Sequence, residues 1–252
     1  MGYIIFCNSV SIVAATFIGG RLADAYGWLA PFWASVGVGL LGLLCVTLVY
    51  EQPRRRSAAQ SSLQRLRSVI RYRELVFASV VAALGHYALF ATTFGFVPNY
   101  AVGIGATKTQ LGILSMVFTL SSSVVALLSG AMIAPLLGNR LTVCTGYLTI
   151  AASTVAIPYL ETVEALYASQ IMAGFGRGAS YPILMALAIA RLPDSEKATG
   201  MGFFQAVYAI GMFAGPSVSG LIGGWLGYAG LFLSTGAVAG VTALVALRLP
   251  RD

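Results

Sequence analysis

Eight apolar blocks, each about 20 residues long, set what this chain can become, because that length lets a helix cross ~30 Å of hydrocarbon. They cover residues 3–20, 29–50, 75–98, 111–137, 141–160, 166–190, 201–222 and 229–247. The blocks are continuously apolar rather than alternating, so they read as helices and not as barrel strands. Block 3–20 has no basic stretch before it and is followed by further spans, so it reads as a span rather than a signal peptide. Hydrophobic residues make up 58% of the 252 positions and charged residues 9%. A soluble domain carries about 25% charge, so there is too little polar surface here for a soluble shell. The expected fold class is an all-α membrane protein with eight transmembrane helices.

The net charge of +7 would suit a nucleic-acid binder, but its location excludes that reading. Arg54, Arg55, Arg56, Arg65, Arg67, Arg71 and Arg73 all fall between the second and third blocks. The positive-inside rule makes that loop cytoplasmic, and alternation then puts both termini in the cytoplasm of a multi-pass cell-membrane protein. Arg140, Arg191, Lys197, Arg248 and Arg251 fall on the same side, against Arg21 and Lys108 on the other. Trp28, Tyr159, Tyr167 and Trp225 stand at the expected outer ends, where amphipathic rings favour the interface. Cys7, Cys45 and Cys144 are scattered singly, with no spacing for a disulfide framework or a metal site. No cofactor is expected.

The arginine loop divides the chain into residues 1–50, a basic linker at 51–74, and residues 75–252. Within the linker Leu63, Leu66, Val69 and Ile70 recur at helical spacing among arginines, which suits a short amphipathic helix on the inner membrane face, with a disordered basic linker as the alternative. A shift of 200 residues lays the first span on the seventh. Gly2, Ala14, Gly20, Gly27 and Phe32 then match Gly202, Ala214, Gly220, Gly227 and Phe232. Ser11, Ala15, Gly19 and Ala23 fall over Gly211, Gly215, Ser219 and Gly223, two strips of small residues suited to close helix approach.

Gly200-Met-Gly-Phe-Phe-Gln205, with Gly211, Gly215, Pro216 and Gly220 following, resembles the eleventh helix of major facilitator transporters. The run at 27–32 resembles the loop before their sixth helix, and Glu51-Gln-Pro-Arg-Arg-Arg the exit from it. Gly174-Phe-Gly-Arg-Gly178 with Tyr181-Pro182 resembles their glycine-rich tenth helix. The resemblance covers essentially the whole chain and is nearest to drug:proton antiporters. It implies a partial major facilitator fold spanning family helices five to twelve, with a complete C-terminal six-helix half at 75–252 and four N-terminal helices expected upstream. Departures are Trp28 where the loop signature at 20–27 has a base, Ala134 at a usual acidic position, and Thr16 in place of the antiporter proline.

The resemblance also implies helix-packing and gating roles. Gly211, Gly215, Pro216 and Gly220 would bend the seventh span and pack it against the absent half. The small-residue face carrying Gly112, Ser115, Thr119, Ser122, Ala126 and Ser129 would pack on the first span. The GxGxG at 174–178 lies inside an apolar block with no strand before it, which favours helix packing over phosphate binding.

Arg177 is the one charge deep in a span and should face a cavity or a partner. Gln170, Gly174, Arg177 and Tyr181 share a helix face, as do His86, Phe90, Thr93 and Val97, and Gln205, Tyr208 and Met212. These three faces are expected to line a substrate pathway; a bond from Arg177 to backbone carbonyls is the structural alternative. No Asp or Glu lies within a block, so no carboxylate here can carry a coupled proton. No Ser/His/Asp set, metal cluster or paired carboxylates occur within reach of the membrane, which argues against an enzyme. The expected function is secondary transport of a small molecule by alternating access. Efflux of amphipathic compounds, with protons as a candidate coupling ion, stands first. Uptake of an anionic metabolite and a non-transporting remnant are the alternatives.

Overall fold

The computed structural model describes residues 2–47 and 62–250, with side chains from Ser11 onward; Arg54–Arg56 and the motif at 51–56 lie outside it. All regular structure among the described residues is helical. Helix α1 is Gly2–Tyr26, α2 Leu29–Val46 and α3 Ser62–Val69. Helix α4 runs Arg73–Gly103, α5 Lys108–Leu137, α6 Asn139–Tyr159 and α7 Val163–Ala190. The stretch Asp194–Ala246 is two helices run together, broken at Gly227 (φ 66°, ψ −173°); we label them α8 (residues 194–226) and α9 (residues 228–246).

Five stretches are long and apolar enough to cross a membrane on those grounds alone, namely Leu29–Val46, Arg73–Gly103, Lys108–Leu137, Asn139–Tyr159 and Asp194–Ala246. The last holds two passes, and α1 and α7 have the length of a span, which makes eight. The helices overrun their apolar blocks where polar residues suit a helix start. Helix α8 begins two turns before its block, at Pro193-Asp194, with Asp194 and Glu196 in its first turn, where negative charge meets the positive end of the helix dipole. Gly27 (φ 85°) and Gly227, matched by the 200-residue shift, are both left-handed and each turns one span into the next.

Helices α4 and α5 each contain one π turn, Thr92–Phe96 and Ser129–Ile133. Each stands just before a proline, Pro98 or Pro135. A proline removes an intrahelical donor and crowds the carbonyl four residues back, and a wider turn relieves that crowding.

Helix α4 packs on the 194–246 pair, α5 and α6 on α7, and α6 on the 194–246 pair. Val69, Leu75, Val81, Tyr147, Ile150, Leu184, Phe204 and Ala243 belong to one core, and Val97, Leu114, Leu166, Leu231 and Phe232 to a second. Glycines bring the backbones together. A methyl at Gly146 would come within 2.7 Å of the Gly176 carbonyl oxygen, and one at Gly178 would strike the Ser122 carbonyl.

Two expected partnerships change. Gly211 lies against the Ala83 carbonyl and Gly215 against the Tyr87 carbonyl and the Ala91 amide, while Gly220 faces Phe96. The GxxxGP face of α8 therefore packs on α4. Ser219 continues this seam through the Tyr87 hydroxyl at 3.1 Å and Thr235 at 3.1 Å. The small-residue row of α5 serves two partners. Gly112 meets the Thr16 carbonyl and Gly20 of α1, whereas Ser122 meets Gly178 and the Ser129 hydroxyl donates to the Ala179 carbonyl of α7. Mean steps near 3.4 residues, against 3.6 per turn, swing such a row by about 100° between Gly112 and Ser129.

Helix α1 holds α5 through more than close packing. The Asp24 carboxylate accepts from the Thr109 hydroxyl, from the Thr109 amide at 2.7 Å and from the Lys108 amide at 3.1 Å. It thereby caps the first turn of α5, which already carries its own Thr107/Gln110 capping box. Lys108 Nζ donates to the Ala23 carbonyl at 2.9 Å and lies 5.2 Å from the Trp28 ring centroid. The Thr109 hydroxyl, then the two amides, hold Asp24 below the usual carboxylate range. Helix α2 touches α1 but buries no residue of its own. Its apolar surface all round suits hydrocarbon.

The linker helix forms at Ser62–Val69. Val69 is buried in the core, and Leu66 and Ile70 remain exposed. Leu63 and Arg65 have side chains outside the described set.

Candidate functional site

Helices α4, α5, α7 and α8 bring together a linked group of aromatic rings and one guanidinium. His86 and Phe90 are one turn apart on α4, so they share a face. The His86 Nδ1–H donates to the Ala82 carbonyl at 2.8 Å, which fixes the ring and leaves Nε2 as the acceptor. Tyr208 of α8 stacks on His86 with centroids 4.3 Å apart, and Tyr181 of α7 meets its edge at 5.4 Å. Phe204, one turn before Tyr208, closes on both tyrosines. A second line of rings runs from Phe90 to Phe94 at 4.9 Å and on to Phe118 of α5 at 5.4 Å.

Arg177 joins the two lines. Its guanidinium lies 6.0 Å from the Phe118 centroid and 5.5 Å from the Tyr181 centroid, within the range of a cation–π attraction. Its hydrogen bond is from Nη1 to the Ser122 hydroxyl at 3.4 Å. No carboxylate among the described residues pairs with it. The alternative of a guanidinium bonded to backbone carbonyls is not what the geometry shows. Gly174, about one turn before Arg177, and Gly178, the residue after it, sit against the Phe118 and Ser122 carbonyls. These close contacts hold α7 on α5 and place the guanidinium beside Phe118.

Of the residues expected at the site, His86, Phe90, Arg177, Tyr181 and Tyr208 come together. Thr93 and Gln170 are buried, Gln170 at 2% exposure, and Thr93 Oγ1 and Gln170 Oε1 have no hydrogen-bond partner. No ring contact or hydrogen bond links either to the aromatic group; Gln170 Nε2 reaches only Ser169 at 3.5 Å. Gln205 is exposed and stands apart from the rings. The reading missed Phe94, Phe118 and Phe204. Their signal was present, since each lies four residues from a residue already singled out: Phe90, Ser122 and Tyr208.

Ser115 lines a cavity of about 370 Å³ between α1, α2 and α5, together with Ala15, Gly19 and Gly112. Thr119 is half-buried, and its carbonyl accepts from Ser123. Among the described residues no group of three His, Cys, Asp or Glu could hold a metal ion.

Comparison with known proteins agrees with this architecture. The family model of the Major Facilitator Superfamily matches residues 1–105 and again 75–252. The quinolone resistance protein NorA of Staphylococcus aureus is 26% identical over 125 residues, which is 50% of this chain and 32% of NorA. An uncharacterized MFS-type transporter of Methanocaldococcus jannaschii is 24% identical over 246 residues, 93% of this chain and 62% of that protein. The chain thus spans less than two thirds of either relative. With eight apolar helices in the expected order and a family match along its whole length, the chain belongs to the Major Facilitator Superfamily.

Proposed function

We propose that this chain is part of a secondary active carrier that exports small amphipathic compounds across the cell membrane by alternating access. The observation that carries the proposal is the ring group itself. Seven rings from α4, α5, α7 and α8, the His86 imidazole among them, form one linked group, and two of them, Phe118 and Tyr181, face a single guanidinium that pairs with no carboxylate among the described residues. Such a surface offers apolar area and π faces to flat, weakly polar molecules, and one fixed charge to orient them. Phe94 is 49% exposed and Phe90 is half-buried, so part of it stays open to a ligand. NorA is named for quinolone resistance, which supports export as the direction.

The domain reading of 1–50, 51–74 and 75–252 belongs to the same proposal. It is supported by the restart of the family match at residue 75 and by the paired left-handed glycines 200 residues apart. The same proposal puts both termini in the cytoplasm, supported by the arginines between the second and third apolar blocks. Protons are proposed as the coupling ion, with His86 the one imidazole of the chain and no Asp or Glu within an apolar block.

The unpaired Arg177 also favours a second reading, uptake of an anionic metabolite held by its planar fork. Transport into everted vesicles under an imposed pH gradient separates the two. Export predicts accumulation of a lipophilic aromatic dye, reduced about tenfold or more by Tyr208→Ala or Phe94→Ala. Carriage of a small aliphatic carboxylate with no movement of the dye would replace export by the second reading.

A further inference from the structure

At the end of α4 that carries the basic linker lies a cavity of about 340 Å³, with Arg71, Arg73, Glu74 and Arg191 in its lining. Three guanidiniums meet one carboxylate there. Glu74 is taken by Arg191, Nε to Oε2 at 2.9 Å. Among the described residues neither Arg71 nor Arg73 makes an ion pair, so the rim keeps an excess of positive charge. Arg73 is also the first residue of α4, and Tyr72 before it offers no side-chain cap. The first amides of the helix therefore point their positive dipole toward the same rim.

The rest of the cavity is apolar, floored by Leu75, Ala188 and Leu192, all buried. Beside it, Leu66 and Ile70 of α3 and the following turn are 37% and 45% exposed, between arginines 65, 67 and 71. Exposed leucine and isoleucine among arginines fit the boundary between headgroups and acyl chains. A positive rim over an apolar floor at that depth matches an amphiphile rather than a free ion. We propose that this cavity binds an anionic phospholipid, its phosphate between Arg71, Arg73 and the first turn of α4 and the first methylenes of an acyl chain on the apolar floor. The site is separate from the ring group, and its occupant ties the turn after α3 to the start of α4 and the end of α7.

Native mass spectrometry of the full chain in detergent, titrated with phosphatidylglycerol, tests the assignment. The first phosphatidylglycerol should bind at least about tenfold more tightly than phosphatidylcholine with the same chains, since the anionic headgroup adds a net charge for the arginines to meet. Arg71→Gln with Arg73→Gln should weaken it about 25-fold, near fivefold for each base removed. Both arginines are exposed, so their replacement leaves the packed core intact, and unchanged circular dichroism confirms that. Lys197→Gln, which removes a base paired with Asp194 outside the cavity, should leave binding unchanged. Equal loss in the Lys197 variant, or equal affinity for the two lipids, overturns the site. Complete displacement of phosphatidylglycerol by millimolar inorganic phosphate would show a small-anion site and overturn the lipid assignment.

Discussion

Arg177 concentrates what single residues contribute here. A half-buried cation without a carboxylate inside a span costs ~3 kcal/mol in a bilayer setting, and its compensation is one hydroxyl at 3.4 Å and two ring faces. Arg177→Gln should therefore leave the melting temperature in detergent unchanged or raise it, while transport by the complete carrier falls about tenfold or more. Arg177→Lys should restore part of the loss, because an ammonium keeps the charge but not the planar fork. Unfolding of the Gln variant with normal transport by the folded fraction would make Arg177 a structural residue. Arg177 could be read from the sequence because charge is rare inside an apolar block. Phe118 and Phe204 were harder to read, because an aromatic in an apolar helix has the same composition whether it faces lipid, core or pathway.

At the scale of helices, glycine positions separate contact from mere composition. A methyl at Gly112 would strike the Thr16 carbonyl, and one at Gly20 would lie 2.8 Å from the Lys108 carbonyl oxygen, whereas one at Gly19 meets nothing within 4 Å. Gly112→Ala and Gly20→Ala should each destabilise by about 1–3 kcal/mol through overpacking. Gly19→Ala should be neutral or slightly stabilising through helix propensity, ~1 kcal/mol at most. Equal effects at all three sites, measured by thermal unfolding in detergent, would remove the α1–α5 seam as their cause.

The Asp24 cap on α5 adds a pH term. Its pKa is lowered in the fold, so its contribution is complete above the ordinary carboxylate range of about 4 and is lost as pH falls through the depressed value. Acidification from about pH 6 to pH 3 should lower the melting temperature, and Asp24→Asn should begin lower and fall less. The sequence showed Asp24 within a loop-like signature. Its partners, 84 and 85 residues away, could not be read from spacing.

For the whole molecule, the linker and the loop before α7 should lie on opposite sides of the membrane. Cysteine introduced at Ser57 should be protected from an impermeant reagent in intact cells, and cysteine at Glu164 should react. The reverse pattern would invert the orientation drawn from the arginines.

The number and order of the spans, the amphipathic linker helix and the family were determined by the sequence itself. Each depends on local apolar length, helical period or charge placement, which a bilayer imposes on every chain alike. The partners of those spans were decided only by the tertiary structure. Small residues allow close approach without naming a neighbour, so the strip through Gly211 and Gly215 met α4, and the row from Gly112 to Ser129 divided between α1 and α7. The same packing chose the site, drawing His86, Tyr208, Tyr181 and Arg177 together and leaving Gln205 outside, because helix rotation is set by the contacts of the entire bundle.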